Sequence, residues 1–561
     1  MQKQSADKSG RFKIFIIGFA ALVLIGLVVL AVIFLGKQGI SVPGDYRTIQ
    51  AAINEAKDGD VIIVEPGVYY ERLDFMGKNI TVRSTNPDDP DIVAGTIIDG
   101  RKRGSVVTFR SGEGHDAVLK GFTISNGVGT REETVQLYEE EEITIAGTYG
   151  GGILVTNGSS PTIEQNVIKG NSVDIDGGGI AVLDGSSPLI RKNVIQNNNA
   201  LNGGGISVWS SSPIIEGNTL TENLASNVGA GISLYTDASA RVSDNNINNN
   251  MAGEGGGGIS AVGSDPLISG NTIMGNVSRF SGGGIFVVNA FPTIDGNNIS
   301  RNTAAESGGG IIIFAGSSPT ISNNRIIGNF SEVNGGGIAM FGAGEPVIAD
   351  NIISDNVVLA GGGGIYAEES SMIIERNQIT GHRVENDGGG IAILYNSRAT
   401  IVNNTIDDNV TLRYGGGILI GEDSSAVIED NTISRNVASN GGGVFVLKSS
   451  VTFERNIVND NAAVQESGGG FSIVFNSSVT MISNIFTGNR ALEFGGAIVA
   501  FDNVLLVLKG NDFIGNEAQI GGAFIGFNST VDVSDPDDNT YSGNVPEDIE
   551  PEDEEPAESS D

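Results

Sequence analysis

Gly177-Gly178-Gly179-Ile180-Ala181-Val182-Leu183-Asp184-Gly185-Ser186-Ser187-Pro188-Leu189-Ile190-Arg191-Lys192-Asn193-Val194-Ile195-Gln196-Asn197-Asn198-Asn199-Ala200-Leu201-Asn202 is one period of a repeat that fills most of this 561-residue chain. Ile180 and Val182 alternate with Ala181 and Leu183, which is strand periodicity. Gly185-Ser186-Ser187-Pro188 punctuates the chain as a turn. Leu189-Ile190 opens a second run that ends at Asn193, and Ile195 sits in a third that ends at Asn198. The residue after the glycines recurs fifteen times, from Ile153, Ile180, Ile206 and Ile232 through to Phe524, always 26 or 27 residues apart. A fixed period in this range marks a solenoid, in which each repeat buries its apolar face only against its neighbours. The period predicts an all-β fold with three strands of four or five residues per coil, stacked into three parallel sheets. About eighteen coils at ~4.8 Å each make a rod on the order of 85 Å.

Asparagine tests that reading. One column runs Asn166, Asn193, Asn218, Asn245, Asn271 and Asn297 and continues to Asn539. A second lies five residues later, from Asn171 to Asn544, broken only at His382. Asn tolerates the left-handed backbone of a tight corner, and its amide can bond to the copy in the next coil. At His382 an imidazole fitting an amide's slot is expected over a ligand or a base.

These features resemble the right-handed parallel β-helix superfamily, the pectin-lyase-like fold. Tyr46, Thr48, Ile49, Gln50, Ala51, Ala52 and Ile53 look like its amphipathic N-terminal cap, and Asp58 to Val64, Pro66 to Tyr69 and Glu71 like its first coil. The resemblance spans roughly residues 43 to 545 and implies one continuous right-handed solenoid, assigned here to residues 46–545. It says little about function, because the fold hosts lyases, hydrolases, epimerases, adhesins and inert scaffolds.

Ile14 to Leu35 are 22 residues without a charge, enough for a bilayer-spanning helix. Lys3, Lys8, Arg11 and Lys13 precede them, so residues 1–13 are expected in the cytoplasm. The segment ends Ile33-Phe34-Leu35-Gly36-Lys37, a poor cleavage site, which favours an anchor (14–35) over a cleaved leader. Residues 36–45 then serve as a linker, and the β-helix stands on the extracytoplasmic side of the cell membrane. With 67 acids against 32 bases the formal net charge is −35, which disfavours nucleic-acid partners. Zero cysteines exclude disulfides and thiol chemistry. Residues 546–561 carry nine acids and no base and are expected to be disordered. An insertion at 128–149 contains the run Glu139 to Glu142 and is expected to be a solvated loop. Calcium there lacks the spaced ligands of a defined site, so no cofactor is expected.

Two surface columns carry the chemical candidates. Glu429 and Glu454 fall at the same repeat position in neighbouring coils, the arrangement a two-carboxylate glycosidase needs. They are weak candidates, because Glu164, Arg191 and Glu216 in the same column form an ordinary alternating charge ladder. The family's catalytic patterns, such as Asn-Thr-Asp with Gly-His-Gly or Asp-Pro-His-Glu, are absent from the sequence. Three residues after the glycine-proximal position, Trp209 neighbours Tyr235 and Phe314 neighbours Phe341. By period two these rings point outward and stack about 5 Å apart, a candidate surface for sugar rings. The sequence thus favours a non-catalytic surface scaffold, adhesion or carbohydrate-binding protein, with polysaccharide or surface glycan as partner. The alternative is a polysaccharide lyase or glycoside hydrolase.

Overall fold

The computed structural model describes residues 39–138, 141–533 and 538–546. The expected anchor, Ile14 to Leu35, and the acidic tail beyond Pro546 lie outside the described residues. Among the described residues no helix is long and apolar enough to cross a membrane.

One repeat contributes one strand to each of three parallel sheets. Sheet I holds the strands that follow the glycines and has seventeen members; sheet II follows the turn and has nineteen; sheet III lies between the two asparagine columns and has eighteen. Register is kept residue for residue, with Ile180 opposite Ile206, Ile190 opposite Ile215, and Ile195 opposite Leu220. Those side chains, with Val182, point into a single core that runs the length of the solenoid. The strands are shorter than expected, mostly three or four residues, because the corners take the remainder. A fourth, narrow ladder was not foreseen: twelve two-residue strands, such as Asn199–Ala200, follow the second asparagine column.

The ladder asparagines away from the His382 rung and the last coil are saturated. Asn193 donates from Nδ2 to the Ile163 carbonyl (2.8 Å) and to Asn218 Oδ1 (3.0 Å), and its backbone N–H also reaches that Oδ1 (2.9 Å). The left-handed backbone expected of the asparagines falls instead on the preceding residue: Gln165, Lys192 and Asn197 have φ of 55°, 52° and 54°. Asparagine is therefore selected as a buried donor and acceptor, and the strained corner belongs to its neighbour.

Proline accompanies most of the narrow strands of sheet II, although Arg241–Ser243 after Ala240 and Val118–Lys120 after Ala117 are equally short without it. Pro161, Pro188, Pro213, Pro266, Pro292, Pro319 and Pro346 each directly precede a three-residue strand, such as Leu189–Arg191 or Val347–Ala349. Proline lacks the N–H that would extend the ladder. From Met372 onward the position carries Met, Ala, Val or Leu, and the strands lengthen to five residues, as in Ser371–Glu375 and Ser425–Glu429.

The first turn is closed by the helix Ile49–Glu55, which buries Ile49, Ala52 and Ile53. Its free N–H groups are met by the Glu71 carboxylate, which accepts from Ile49 (3.0 Å) and Gln50 (2.9 Å). The insertion is a hairpin rather than an irregular loop: Thr130–Tyr138 pairs antiparallel with Glu141–Tyr149. Thr134, Val135, Ile143, Thr144 and Ile145 are β-branched, and that preference outweighs the acidic run Glu139 to Glu142.

Candidate functional site

The outer face of sheet I carries the aromatic column. Trp209 and Tyr235 alternate with the core residues Val208 and Leu234, so they point away from the core as period two requires. Their rings stack with centroids 4.7 Å apart at 20°. Solvent exposure, however, is only 4% and 6%. The hairpin folds back over this part of the face, and Tyr149, Val228 and the half-buried Ile145 and Ile175 pack on the two rings. The expectation of a solvent-facing row therefore fails at Trp209 and Tyr235. Further along, Phe314 and Phe341 are half-buried and stack at 5.6 Å and 23°. They belong to a longer run, with Phe286 at 5.8 Å from Phe314 and Tyr366 at 5.5 Å from Phe341.

Between the hairpin and sheet I lies a pocket of about 380 Å³, lined by Ile145, Asn202, Trp209, Asn227, Tyr235 and Phe286 among others. Behind it Asp176 is fully buried. Trp209 donates its indole N–H to one carboxylate oxygen (2.5 Å), and Asn202 Nδ2 donates to the other (2.9 Å). Asn202 Oδ1 in turn accepts from Asn227 Nδ2 (2.8 Å). Burial pushes the Asp176 carboxyl up to about 7, against the hydrogen bonds from Asn202 and Trp209, which favour the ionised form. Burial also raises the Tyr235 phenol, with the Asp176 charge adding to the effect.

A coil cornered by glycines and asparagines, with parallel ladders on every side, is also what the comparisons with known proteins find. The model of the "right handed beta helix region" matches residues 105–273, 230–382 and 337–518, well over half of the chain. The chain belongs to the right-handed β-helix family. It is also similar to "Probable pectinesterase/pectinesterase inhibitor 17" of Arabidopsis thaliana, at 32% identity over 111 residues, 18% of this chain and 20% of that protein. This chain thus spans about a fifth of the length of that relative. A solved PL6-family alginate lyase aligns with 90% of this chain and 99% of its own at 10% identity and a TM-score of 0.21.

Within this β-helix the carboxylate pair is brought together as the repeat foretold. Glu429 and Glu454 are direct register partners on adjacent strands of sheet II. Both are held by one guanidinium: Arg455 bonds Glu429 (3.1 Å), Asp430 (2.9 Å) and Glu454. The upstream column shows the same arrangement, with Glu164 bridging Lys120 (3.4 Å) and Arg191 (2.7 Å). Beside Glu429 the five-residue strands of sheet II form an open groove of about 650 Å³, lined by Thr400, Ser425, Ser450, Thr452, Ser478 and Thr480 among others.

His382 takes the asparagine slot in full burial. Its Nδ1 accepts from the Asn356 backbone N–H (3.1 Å), and Nε2 faces the Ile353 carbonyl (3.1 Å), which fixes a neutral ring protonated at Nε2. Burial depresses its pKa to about 4. Sequence reasoning missed Asp176, Asn202 and Asn227. Asp176 and Asn202 occupy the position just before the glycines, which holds Val228, Gly255, Ser281, Asn334 and Gly361 in other coils. An acid in that column was the available signal, and it recurs only at Asp387. The Glu139 to Glu142 run lies outside the described side chains.

Proposed function

We propose that this β-helix is a non-catalytic scaffold, held at the cell membrane by Ile14 to Leu35, that binds a surface or matrix polysaccharide along the outer face of sheet I. The observation that carries this reading is the half-buried aromatic run Phe286, Phe314 and Phe341, one ring per coil with centroids 5.6 to 5.8 Å apart, which the buried Tyr366 ends. Rings at such spacing suit the apolar faces of successive sugars in a chain lying parallel to the axis. A formal net charge of −35 repels polyanions, which include the pectin that the plant relative is named for, so the fitting glycan is neutral. The arrangement at Glu429 and Glu454 supports a structural role for both, since Arg455 occupies the space between them that a substrate would need.

The full chain applied to an array of neutral and acidic glycans tests this. Neutral polymers should be retained, and Phe314→Ala with Phe341→Ala should weaken retention by about tenfold or more, roughly 1.4 kcal/mol. Retention unchanged in the double variant would remove the aromatic surface from the account. For the anchor, an alkaline wash of membranes should leave the full chain in the pellet and release a variant lacking residues 14–35.

The second reading is a polysaccharide-active enzyme. What favours it is Asp176, a buried carboxyl raised to about 7 behind a pocket, the kind of perturbation that gathers at active sites. New reducing or unsaturated ends from any glycan, lost in Asp176→Asn, would establish that reading instead.

A further inference from the structure

We infer that the pocket between the hairpin and sheet I is a binding site for a small, uncharged, amphipathic molecule bearing one or two rings. Its volume of about 380 Å³ falls in the range of small-molecule sites, ~300–1,000 Å³, and is far too short for a polymer. The stacked Trp209 and Tyr235, with Val262, Phe286 and Val288, give one apolar wall, and Ile145 of the hairpin faces it. The polar side chains on the lining are the amides of Asn202 and Asn227, beside the Tyr235 hydroxyl and the Trp209 indole N–H. Asn227 donates to Asn202, so its own amide oxygen remains for a donor on the ligand.

Asp176 shows that this corner is built rather than incidental. A carboxylate with no solvent exposure costs several kcal/mol unless its environment repays it. Apart from Asp387, which is only partly buried, the other coils close the same corner with neutral residues such as Val228, Gly255, Ser281, Asn334 and Gly361. Stacking alone therefore does not require an acid here. What Asp176 does is lock two pocket residues, fixing the indole of Trp209 by its N–H and the amide of Asn202 by its Nδ2. It is a positioning residue, with no place in the pocket lining itself. The same buried acid, with no lysine or arginine among the lining residues, selects against anions, and no carboxylate lines the space to hold a cation, which leaves neutral ligands.

Trp209 is the only tryptophan in the chain, so its emission reports on this pocket directly. The full chain should be titrated with phenyl β-glucoside and with phenyl β-glucuronide, which adds a carboxylate to the same body. Expected is a saturable change in Trp209 emission with the glucoside, and binding of the glucuronide weaker by about tenfold or more. Val262→Phe and Val288→Phe fill the space from two positions on the wall, and either should weaken glucoside binding by a similar factor while the far-UV dichroism melt is retained. Should Val262→Phe fail to fold, the half-exposed Val288→Phe still decides. Leu412→Ala, at an exposed position outside the pocket, should leave the titration unchanged. Absence of a saturable response to the glucoside overturns the inference, as does equal affinity in the folded filling variants or for the glucuronide. Loss of polymer retention in the Phe314 and Phe341 variants bears only on the scaffold reading, so the two can fail separately.

Discussion

His382 and Asp176 are both fully buried, and burial moves them in opposite directions, with opposite consequences for stability. The imidazole, depressed to about 4, is neutral in the folded chain, whereas an unfolded chain takes up a proton near pH 6.5. Unfolded molecules bind more protons between those values, so stability is complete above pH 6.5 and drains as pH falls toward 4, by about 3 kcal/mol in all. His382→Asn removes that slope and restores the side-chain rungs to Asn356 and Asn409. Urea melts should show the variant at least equal to the parent at pH 7 and ahead by about 2–3 kcal/mol at pH 4.5. A gap that stays constant with pH would refute a neutral buried imidazole. Asp176 runs the other way. Its folded value is raised to about 7, so the folded state holds the extra proton and its contribution is present at low pH and lost as pH rises through 7. Trp209 emission should therefore show a transition near pH 7 in the folded protein, absent in Asp176→Asn. The ladder histidine was legible in the sequence because its slot recurs at a fixed offset. Asp176 was not, since its column holds an acid only here and at Asp387, and nothing in the repeat marks its side-chain bonds to Asn202 and Trp209 of the next coil.

At the scale of elements, what the sequence made plain was whatever the repeat copies: three strands, two asparagine corners and the apolar positions between them. The hairpin escaped because it occurs once. The run of four glutamates points to a solvated loop, while the β-branched residues on either side of it favour the paired strands the structure shows. That single misjudgement also hid the pocket, because the rings of Trp209 and Tyr235 need a cover before they can form one. The change in width of sheet II was partly legible, since the turn proline does not recur after Pro346. Its meaning appears only once the strands are seen to lengthen where proline ends. Ala426→Pro tests the cause. It should shorten Ser425–Glu429 toward three residues at a cost of about 1–2 kcal/mol, read by urea melt and by faster amide exchange at Ser425 and Val427. The cost is modest because the upstream coils already accommodate proline at this position.

The whole molecule is a one-dimensional stack, and that governs how damage spreads. Each coil touches only the coils above and below, so stability is close to a sum of coil terms and neighbour interfaces. Asn271 sits mid-stack with its amide fully engaged: it donates to the Val242 carbonyl (2.9 Å) and to Asn297 (3.0 Å), and accepts from the backbone and side chain of Asn245 (2.9 and 3.0 Å). Asn271→Ala strips these and leaves the Asn245 N–H and the Val242 carbonyl buried without partners, a loss of roughly 2–4 kcal/mol. In a globular domain such a loss would lower the protection of every slow amide together. In a stack it should open the coils flanking residue 271 and stop there. The core of the distant coils at Ile406, Ile433 and Val458 is completed by their own neighbours and owes nothing to Asn271. Native-state hydrogen exchange followed by mass spectrometry should therefore show protection lost in peptides around residues 242–300 and kept in peptides around 400–490. Uniform loss along the chain would mean that the coils unfold as one unit, and that the nearest-neighbour picture of this solenoid is wrong.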